Sequence, residues 1–220
     1  MILAAGRGER MGELTDERPK PLLEVSGKAL IEHTILRLCK GGVHELVINL
    51  AYRGQQIRDH LGDGTRYGAK IVYSQEPAGA LDTGGGIAAA LDLLGPAPFI
   101  VVNSDVMTDL DFASLEPPAG LAHLIMVPNP AHNPGGDFFL RDGRLDNTSG
   151  VAATYSGIGV YAPRLFAGRP PGRFALAPLL RDAIAAGEVS GSLFEGLWLD
   201  VGTPARLALA QTIVASQHSS

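Results

Sequence analysis

Arg10, Lys20, Asp105 and Asp200 are the charged residues whose settings could support chemistry. The chain opens Met1-Ile2-Leu3-Ala4-Ala5-Gly6-Arg7-Gly8-Glu9-Arg10-Met11 and continues to Pro19-Lys20-Pro21-Leu22. Three apolar residues begin a strand, and Gly6 and Gly8 permit turns that let backbone N–H groups face an anion. Arg10 and Lys20 can add positive charge at the same place. Such a loop describes a triphosphate cradle, although Gly-x-Gly after a strand is also a common tight turn. Asp105 follows the uninterrupted apolar run Phe99-Ile100-Val101-Val102-Asn103. Ligands of open α/β sheets sit outside such strand ends. An Asp there can hold a metal, or merely cap the next turn. Asp200 ends a second apolar run, Leu197-Trp198-Leu199; Gly202 then allows a turn, with Thr203 as N-cap and Pro204 in the first turn of the last helix.

Composition narrows the classes. A chain of 220 residues with 45% apolar residues suits one sizeable α/β domain. A net charge of −5 argues against a nonspecific nucleic-acid partner. The single cysteine, Cys39, cannot form an internal disulfide and reads as an apolar filler of a helix. No signal peptide or apolar run long enough to span a membrane is visible, so a soluble, cytoplasmic protein is expected. All four lysines lie between Lys20 and Lys70, and no Lys or Arg occurs from Ile71 to Leu140. If that acidic stretch meets phosphates, a divalent metal is the natural source of positive charge.

The elements that must position these residues follow from periodicity. Helices are expected over Lys28 to Gly41, Arg53 to Leu61, about Ala80 to Leu94, Phe174 to Ala186, and from Pro204 onward. Strands are expected over Glu45–Leu50, Ala69–Ser74, Phe99–Asn103, Ala122–Val127, Gly135–Leu140, Thr154–Tyr161 and Leu197–Asp200. The early alternation of strand and helix implies a parallel sheet with helices on both faces. Residues 1–216 are read as one domain, with a frayed tail at 217–220.

Several familiar motifs are absent. No Gly-x-x-x-x-Gly-Lys-Ser/Thr run exists, so this is not a Walker loop. The third glycine of a dinucleotide fingerprint is replaced by Met11. A serine-hydrolase elbow fails because Thr154 stands where its first glycine should be. The six histidines lack zinc-ligand spacing. In Leu81-Asp82-Thr83-Gly84-Gly85-Gly86, glycines at a helix start permit close approach by a flat ligand, or form a loop capped by Asp or Thr. Gly157 and Gly159 lower one face of a strand for a ligand, a bulge or dense packing. Asp109 and Asp111 read as the start of a short helix.

Leu3-Ala4-Ala5-Gly6-Arg7-Gly8-Glu9-Arg10-Met11 with Pro19-Lys20-Pro21-Leu22 resembles the signature of the sugar-1-phosphate nucleotidyltransferases. Similarity extends from Met1 to about Ala210, and Trp198-Leu199-Asp200-Val201-Gly202-Thr203-Pro204 belongs to it. The resemblance implies a Rossmann-like, doubly wound mixed sheet of the nucleotide-diphospho-sugar transferase (GT-A-like) type, with a nucleotide half over about 1–105 and a sugar-binding half over about 106–216. It implies joining of a nucleoside triphosphate to a sugar 1-phosphate, with release of pyrophosphate. Backbone N–H groups of Leu3, Ala4, Ala5, Gly6, Arg7 and Gly8 would hold the nucleotide, together with Lys20, Thr83, Gly84 and Asn103. Arg10 would sit on the leaving phosphates, Lys20 near the reacting centre, and Asp105 and Asp200 on one Mg²⁺. Gly136, Asp137 and Gly157 would line the sugar pocket, although Asp137 also reads as an ordinary loop acid. The Leu-Asp-Thr-Gly-Gly-Gly form is similar to the branch that uses UTP and N-acetylmuramic acid 1-phosphate in cell-wall (peptidoglycan) recycling. A guanylyl- or thymidylyltransferase for mannose-, heptose- or glucose-type 1-phosphates is the alternative, and a noncatalytic nucleotide-sugar-binding regulator is a third. One departure is that no Lys follows Lys70, whereas many members place a second Lys against the sugar phosphate. Either an Arg replaces it or the branch dispenses with it. No nucleic-acid or membrane partner is expected, and the chain would act as a monomer or small homo-oligomer.

Overall fold

The computed structural model describes residues 1–77 and 81–217. Ala80, expected to lead into the glycine segment, and residues 218–220 of the expected frayed tail lie outside the described residues.

Local sequence sets most elements. After β1 (Ile2–Leu3) and a run of 3-10 turns, β2 (Glu24–Val25) and β3 (Lys28–Ala29) form a short hairpin. Its loop residues Ser26 and Gly27 both have positive φ, 50° and 76°, which suits a two-residue hairpin. The hairpin takes Lys28 and Ala29, so α1 (Leu30–Lys40) begins later than the periodicity implied. α1 buries Leu30, Ile31, Thr34, Ile35 and Leu38 along one face. Cys39 lies beside that face and is half-buried rather than core. Then come β4 (Glu45–Leu50), α2 (Gly54–Leu61), β5 (Lys70–Gln75), α3 (Asp82–Ala89) and α4 (Leu91–Leu94). β6 (Phe99–Asn103), β7 (Val106–Thr108), β8 (Ala122–Val127), β9 (Phe138–Arg141), β10 (Arg144–Asp146) and β11 (Val151–Tyr161) follow. The chain finishes with α5 (Leu176–Ala185), β12 (Val189–Leu193), β13 (Trp198–Asp200) and α6 (Pro204–Gln217). Phe112–Ser114 is a single 3-10 turn after Asp109 and Asp111.

Two compact units interleave in the sequence. The first gathers the described residues of Ile2–Ala80, Asn103–Ser114 and Leu197–Ser220. Its sheet has the parallel order β5-β4-β1, with Leu3 opposite Asn49 and Asn49 opposite Ser74. β7 and β13 pair antiparallel, with Asp200 opposite Val106. Met11, Leu23, Val25, Leu30, Met107, Val201, Ala210 and Val214 form one buried cluster. That cluster ties the opening segment, α1, β7 and α6 together. Gly41 packs so tightly on the Phe112 turn that a Cβ there would lie 2.7 Å from the Phe112 Cβ.

The second unit gathers Met1, Leu81–Val102 and Leu115–Gly196. Its sheet is mixed, in the order β6-β11-β8-β12-β10-β9, with β11 also pairing β9. Only β12 and β8 run parallel among these pairs. The register of β11 against β8 shifts between Tyr155 and Ile158, and Gly157 takes φ 79° inside this bulge. Gly159 instead faces dense packing, because a Cβ there would lie 3.0 Å from both Leu124 Cδ2 and the Tyr161 ring. Of the readings open for these glycines, the bulge claims the first and packing the second. Phe99, Tyr161 and Phe166 close one side of the core, with ring centroids 6.3 to 6.4 Å apart.

Glu32 in the first turn of α1 illustrates how the first unit is pinned. Burial by itself would raise its carboxyl. Hydrogen bonds donated by the Ala29 N–H (2.7 Å) and the Tyr67 hydroxyl (2.7 Å), with His60 alongside, outweigh burial and hold it below its ordinary value. A depressed carboxyl contributes stability that is complete above its unfolded pKa and fades as pH falls through the folded one. Glu32→Gln is therefore expected to lower the unfolding midpoint near neutrality. The gap from the parent should shrink below about pH 4.5, as followed by denaturant titration across pH.

Candidate active site

The opening loop leaves β1 with Ala4 and Ala5 buried and with Gly6, Arg7 and Arg10 exposed. The space where Gly6 would carry a Cβ is open. Ala4 donates its N–H to Asn49 Oδ1 at 2.8 Å, so this donor is committed inside the protein. Gly6 and Arg7 are exposed and Gly8 is half-buried, so residues 6–8 are the part of this loop that reaches the surface. Gly8 adopts φ 72°, a conformation side chains resist. A Cβ on it would also strike the Lys20 stem at 2.9 Å. Glycine at that position thus lets Lys20 lie across the loop. Pro19 and Pro21 flank Lys20 in a 3-10 turn that holds it largely buried, at 9% exposure. Arg7 instead lies over the Tyr52 ring at 5.5 Å, with Asp16 at 3.8 Å.

The Lys20 ammonium donates to Asp105 Oδ2. Asp105 follows β6 and precedes β7, and its backbone carbonyl accepts the Val201 N–H at 2.9 Å. Asp200 is the last residue of β13, one position before that N–H. Antiparallel pairing therefore sets the two acids at neighbouring backbone positions. The Asp200 carboxylate accepts a bond from Arg206 Nη1 at 3.0 Å. Arg206 sits in the first turn of α6, where its N–H donates to the Thr203 hydroxyl at 3.3 Å, as expected of an N-cap. A Cβ on Gly202 would lie 2.6 Å from an Arg206 Nη, 2.9 Å from an Arg10 Nη and 3.0 Å from Asp200 Oδ1. Arg10, Arg206 and Asp200 thus crowd the same small space. Arg206 was not foreseen as a site residue; its place one turn beyond the Asp-Val-Gly-Thr-Pro run is the signal that could have found it.

Two carboxylates and three cationic groups share this corner of the first unit. Among the described residues, no three His, Cys, Asp or Glu side chains cluster as a self-contained metal cage. A pair of aspartates does fit Mg²⁺, which takes one or two protein carboxylates and completes its shell with phosphate and water. Asp105 and Asp200 each also hold a cationic side chain, Lys20 and Arg206.

Asn103 ends β6 and is grouped with the first unit, and the remaining expected residues lie in the second. Thr83 and Gly84 start α3, where Leu81 occupies the cap position and Asp82 takes φ 62°. Asp82 accepts the Thr83 N–H at 3.1 Å instead of capping the turn further along. The glycines there receive the chain's own backbone. A Cβ on Gly84 would meet the Phe174 ring at 2.5 Å, and one on Gly85 would meet the Gly172 carbonyl at 2.2 Å. The Gly85 N–H donates to the Phe174 carbonyl at 3.0 Å. Gly136 has φ 68° and packs on the Ala153 backbone. The Asp137 carboxylate accepts bonds from Asn133 Nδ2 (3.1 Å) and the Tyr155 N–H (2.8 Å), bracing β9 beside β11. Gly157 lies in the β11 bulge.

The Lys20–Asp105 pair is mostly out of water, with side-chain exposures of 11% and 18%. Removing one partner of such a pair leaves an unpaired charge. Lys20→Met alone is expected to cost about 2–3 kcal/mol of stability, more than a surface pair would. Adding Asp105→Asn should return at least about 1 kcal/mol. Denaturant unfolding of the four chains of this double-mutant cycle measures the coupling.

The chain is similar to known proteins in sequence and in fold. A family model described as Nucleotidyl transferase matches residues 1–116. The chain is 53% identical to the N-acetylmuramate alpha-1-phosphate uridylyltransferase of Neisseria meningitidis serogroup B, over 98% of both chains. It is 38% identical to the enzyme of the same name from Caulobacter vibrioides, over 94% of this chain and 93% of that one. In fold, it is similar to a Bacillus anthracis structure assigned as a glucose-1-phosphate thymidylyltransferase. The TM-score is 0.82 at 18% identity, over 96% of this chain and 93% of the other. On these grounds the chain belongs to the nucleotidyl transferase family, the sugar-1-phosphate nucleotidyltransferases that its opening motifs resemble.

Proposed function

We propose that this protein transfers a uridylyl group from UTP to N-acetylmuramic acid 1-phosphate, giving the UDP-sugar and pyrophosphate. The observation that carries the proposal is the gathering of Lys20, Asp105, Asp200 and Arg10 around the end of one glycine loop. Likeness over nearly the full length to relatives bearing that name supports the choice of substrates.

The reaction joins two anions. A sugar phosphate oxygen attacks the α-phosphorus in line, and the bond from that phosphorus to the β-phosphate oxygen breaks. At about 4 Å and an effective dielectric of about 20, each pair of unit charges opposes approach by about 4 kcal/mol. Relieving that repulsion and fixing the line of attack supply most of the catalysis. Residues 6–8 present backbone to the phosphates. Lys20, lying across the loop, balances charge at the α-phosphate. Arg10 stabilises the departing pyrophosphate, where negative charge accumulates. No general base is required, because the attacking phosphate oxygen is already ionised at neutral pH.

Asp105 and Asp200 would hold Mg²⁺. Bound there, the ion would neutralise phosphate charge and orient the reacting groups. Lys20 and Arg206, which bond the two acids, would supply positive charge to phosphate oxygens beside them. For the base and ribose we assign Thr83, Gly84 and Asn103, and for the sugar Gly136, Asp137 and Gly157. Among the described residues no helix is long and apolar enough to cross a membrane. We place the activity in the cytoplasm, beside the nucleotide pool, in the recycling of cell-wall sugars.

Pyrophosphate release across UTP, GTP and dTTP, each with N-acetylmuramic acid, N-acetylglucosamine, mannose and glucose 1-phosphates, tests the assignment. UTP with the muramic acid substrate is expected to give a kcat/KM at least about 10-fold above any other pair. A preference for GTP with mannose 1-phosphate would replace this reading with the guanylyl one. Asp105→Asn and Asp200→Asn are each expected to lower Mg²⁺-dependent turnover by about 100-fold or more while the chain still unfolds cooperatively. Near-normal rates in both variants would remove the metal assignment.

A further inference from the structure

Asn49 is a polar residue within an otherwise apolar buried stretch of β4, Leu46-Val47-Ile48-Asn49-Leu50, and is only 3% exposed. Glu76, immediately after β5, is only 4% exposed. A buried amide and a buried carboxylate are costly unless each is hydrogen-bonded. Here they bond to each other, with Asn49 Nδ2 donating to Glu76 Oε1 at 2.6 Å. The other end of the amide, Oδ1, accepts the Ala4 N–H at 2.8 Å.

The direction of this chain of bonds is fixed by chemistry. A backbone N–H can only donate, so the amide must turn its oxygen toward Ala4. Its NH₂ then points the opposite way and needs an acceptor, which the Glu76 Oε1 atom supplies. Glu76 is itself pinned, because its N–H donates to the Leu50 carbonyl at 2.8 Å. On the other side of β1, the Leu3 carbonyl accepts the Ser104 N–H at 3.1 Å, one residue before Asp105. The residues that launch the glycine loop are gripped from both flanks.

We propose that Glu76 and Asn49 are positioning residues that orient the glycine loop through the Ala4 N–H, and so set nucleotide affinity without touching the nucleotide. The inference rests on the proposed nucleotidyl transfer, but the relay can also be read in the ligand-free chain. Breaking it would let Ala4 turn and loosen residues 6–8 against Lys20 and Asp105. The entropy of re-ordering the loop would then be lost from nucleotide binding. Binding of the sugar 1-phosphate would be less affected.

Reversing the hydrogen-bond polarity tests this. Asn49→Asp alone sets two carboxylates against each other in a buried place. Asn49→Asp combined with Glu76→Gln moves the charge across one bond, keeps an acceptor for Ala4 and restores a donor–acceptor pair behind it. Amide hydrogen exchange of Ala4 and the unfolding midpoint are measured without ligand. UTP dissociation constants and steady-state KM values are measured with it. The single variant is expected to weaken UTP binding by about 10-fold and speed Ala4 exchange by a similar factor. KM for the sugar 1-phosphate should change less than about 3-fold. The double variant should recover UTP affinity to within about 3-fold of the parent. Asn49→Asp with unchanged Ala4 exchange and UTP affinity would overturn the relay. So would a double variant as stable as the parent that binds UTP no better than the single one. If UTP proves not to be the substrate, the exchange measurement still decides the relay, so the two failures are distinguishable.

Discussion

Two carboxylates far apart in sequence stand at adjoining backbone positions because three residues of β7 pair with three of β13. That short antiparallel contact sets Asp200 opposite Val106 and hands the Val201 N–H to the Asp105 carbonyl. Placed together, two acids repel unless cations answer them. Lys20 answers one and Arg206 the other. The glycine at position 8 lets the lysine stem cross the loop, and the glycine at 202 leaves space for Arg10 and Arg206. The surrounding packing of Met11, Leu30, Met107, Val201 and α6 holds these pieces in register.

In this arrangement each acid carries its own cation. Each acid–cation pair is made of groups that phosphate chemistry can use separately: carboxylates for a divalent ion, ammonium and guanidinium for phosphate oxygens. Partial burial strengthens every one of these interactions relative to water. The second unit uses its glycines differently. Those at 84 and 85 admit the chain's own loop at Gly172 and Phe174, and the one at 157 makes a bulge. Glycine-rich text thus describes close approach faithfully, but leaves open what approaches.

The legible parts share a reason. Glycine, proline and flanking charge in the opening segment are local signals, and so are the apolar runs that end at Asn103 and Asp200. β4, β5, β6, β8, α1, α2 and α5 also followed from periodicity within a few residues. Five strands escaped: β2, β3, β7, β10 and β12. β7 is only three residues long, β12 carries Ser190, Gly191 and Ser192 in place of β-branched residues, and the β2–β3 hairpin interrupts what reads as a helix start. Each of them exists because a partner strand supplies its hydrogen bonds, and that partner is invisible in the local text.

By itself the sequence determined the reaction chemistry on offer: a glycine turn for phosphate, two cations after it, and two acids at strand ends. It did so because residue type and local spacing set charge, backbone freedom and strand termination. Only the tertiary structure decided which cation faces which acid, that Ala4 gives its N–H to Asn49, and that Glu76 stands behind that bond. These depend on strand order and register, which bring residues together across the sheet and leave no mark on their neighbours in the chain.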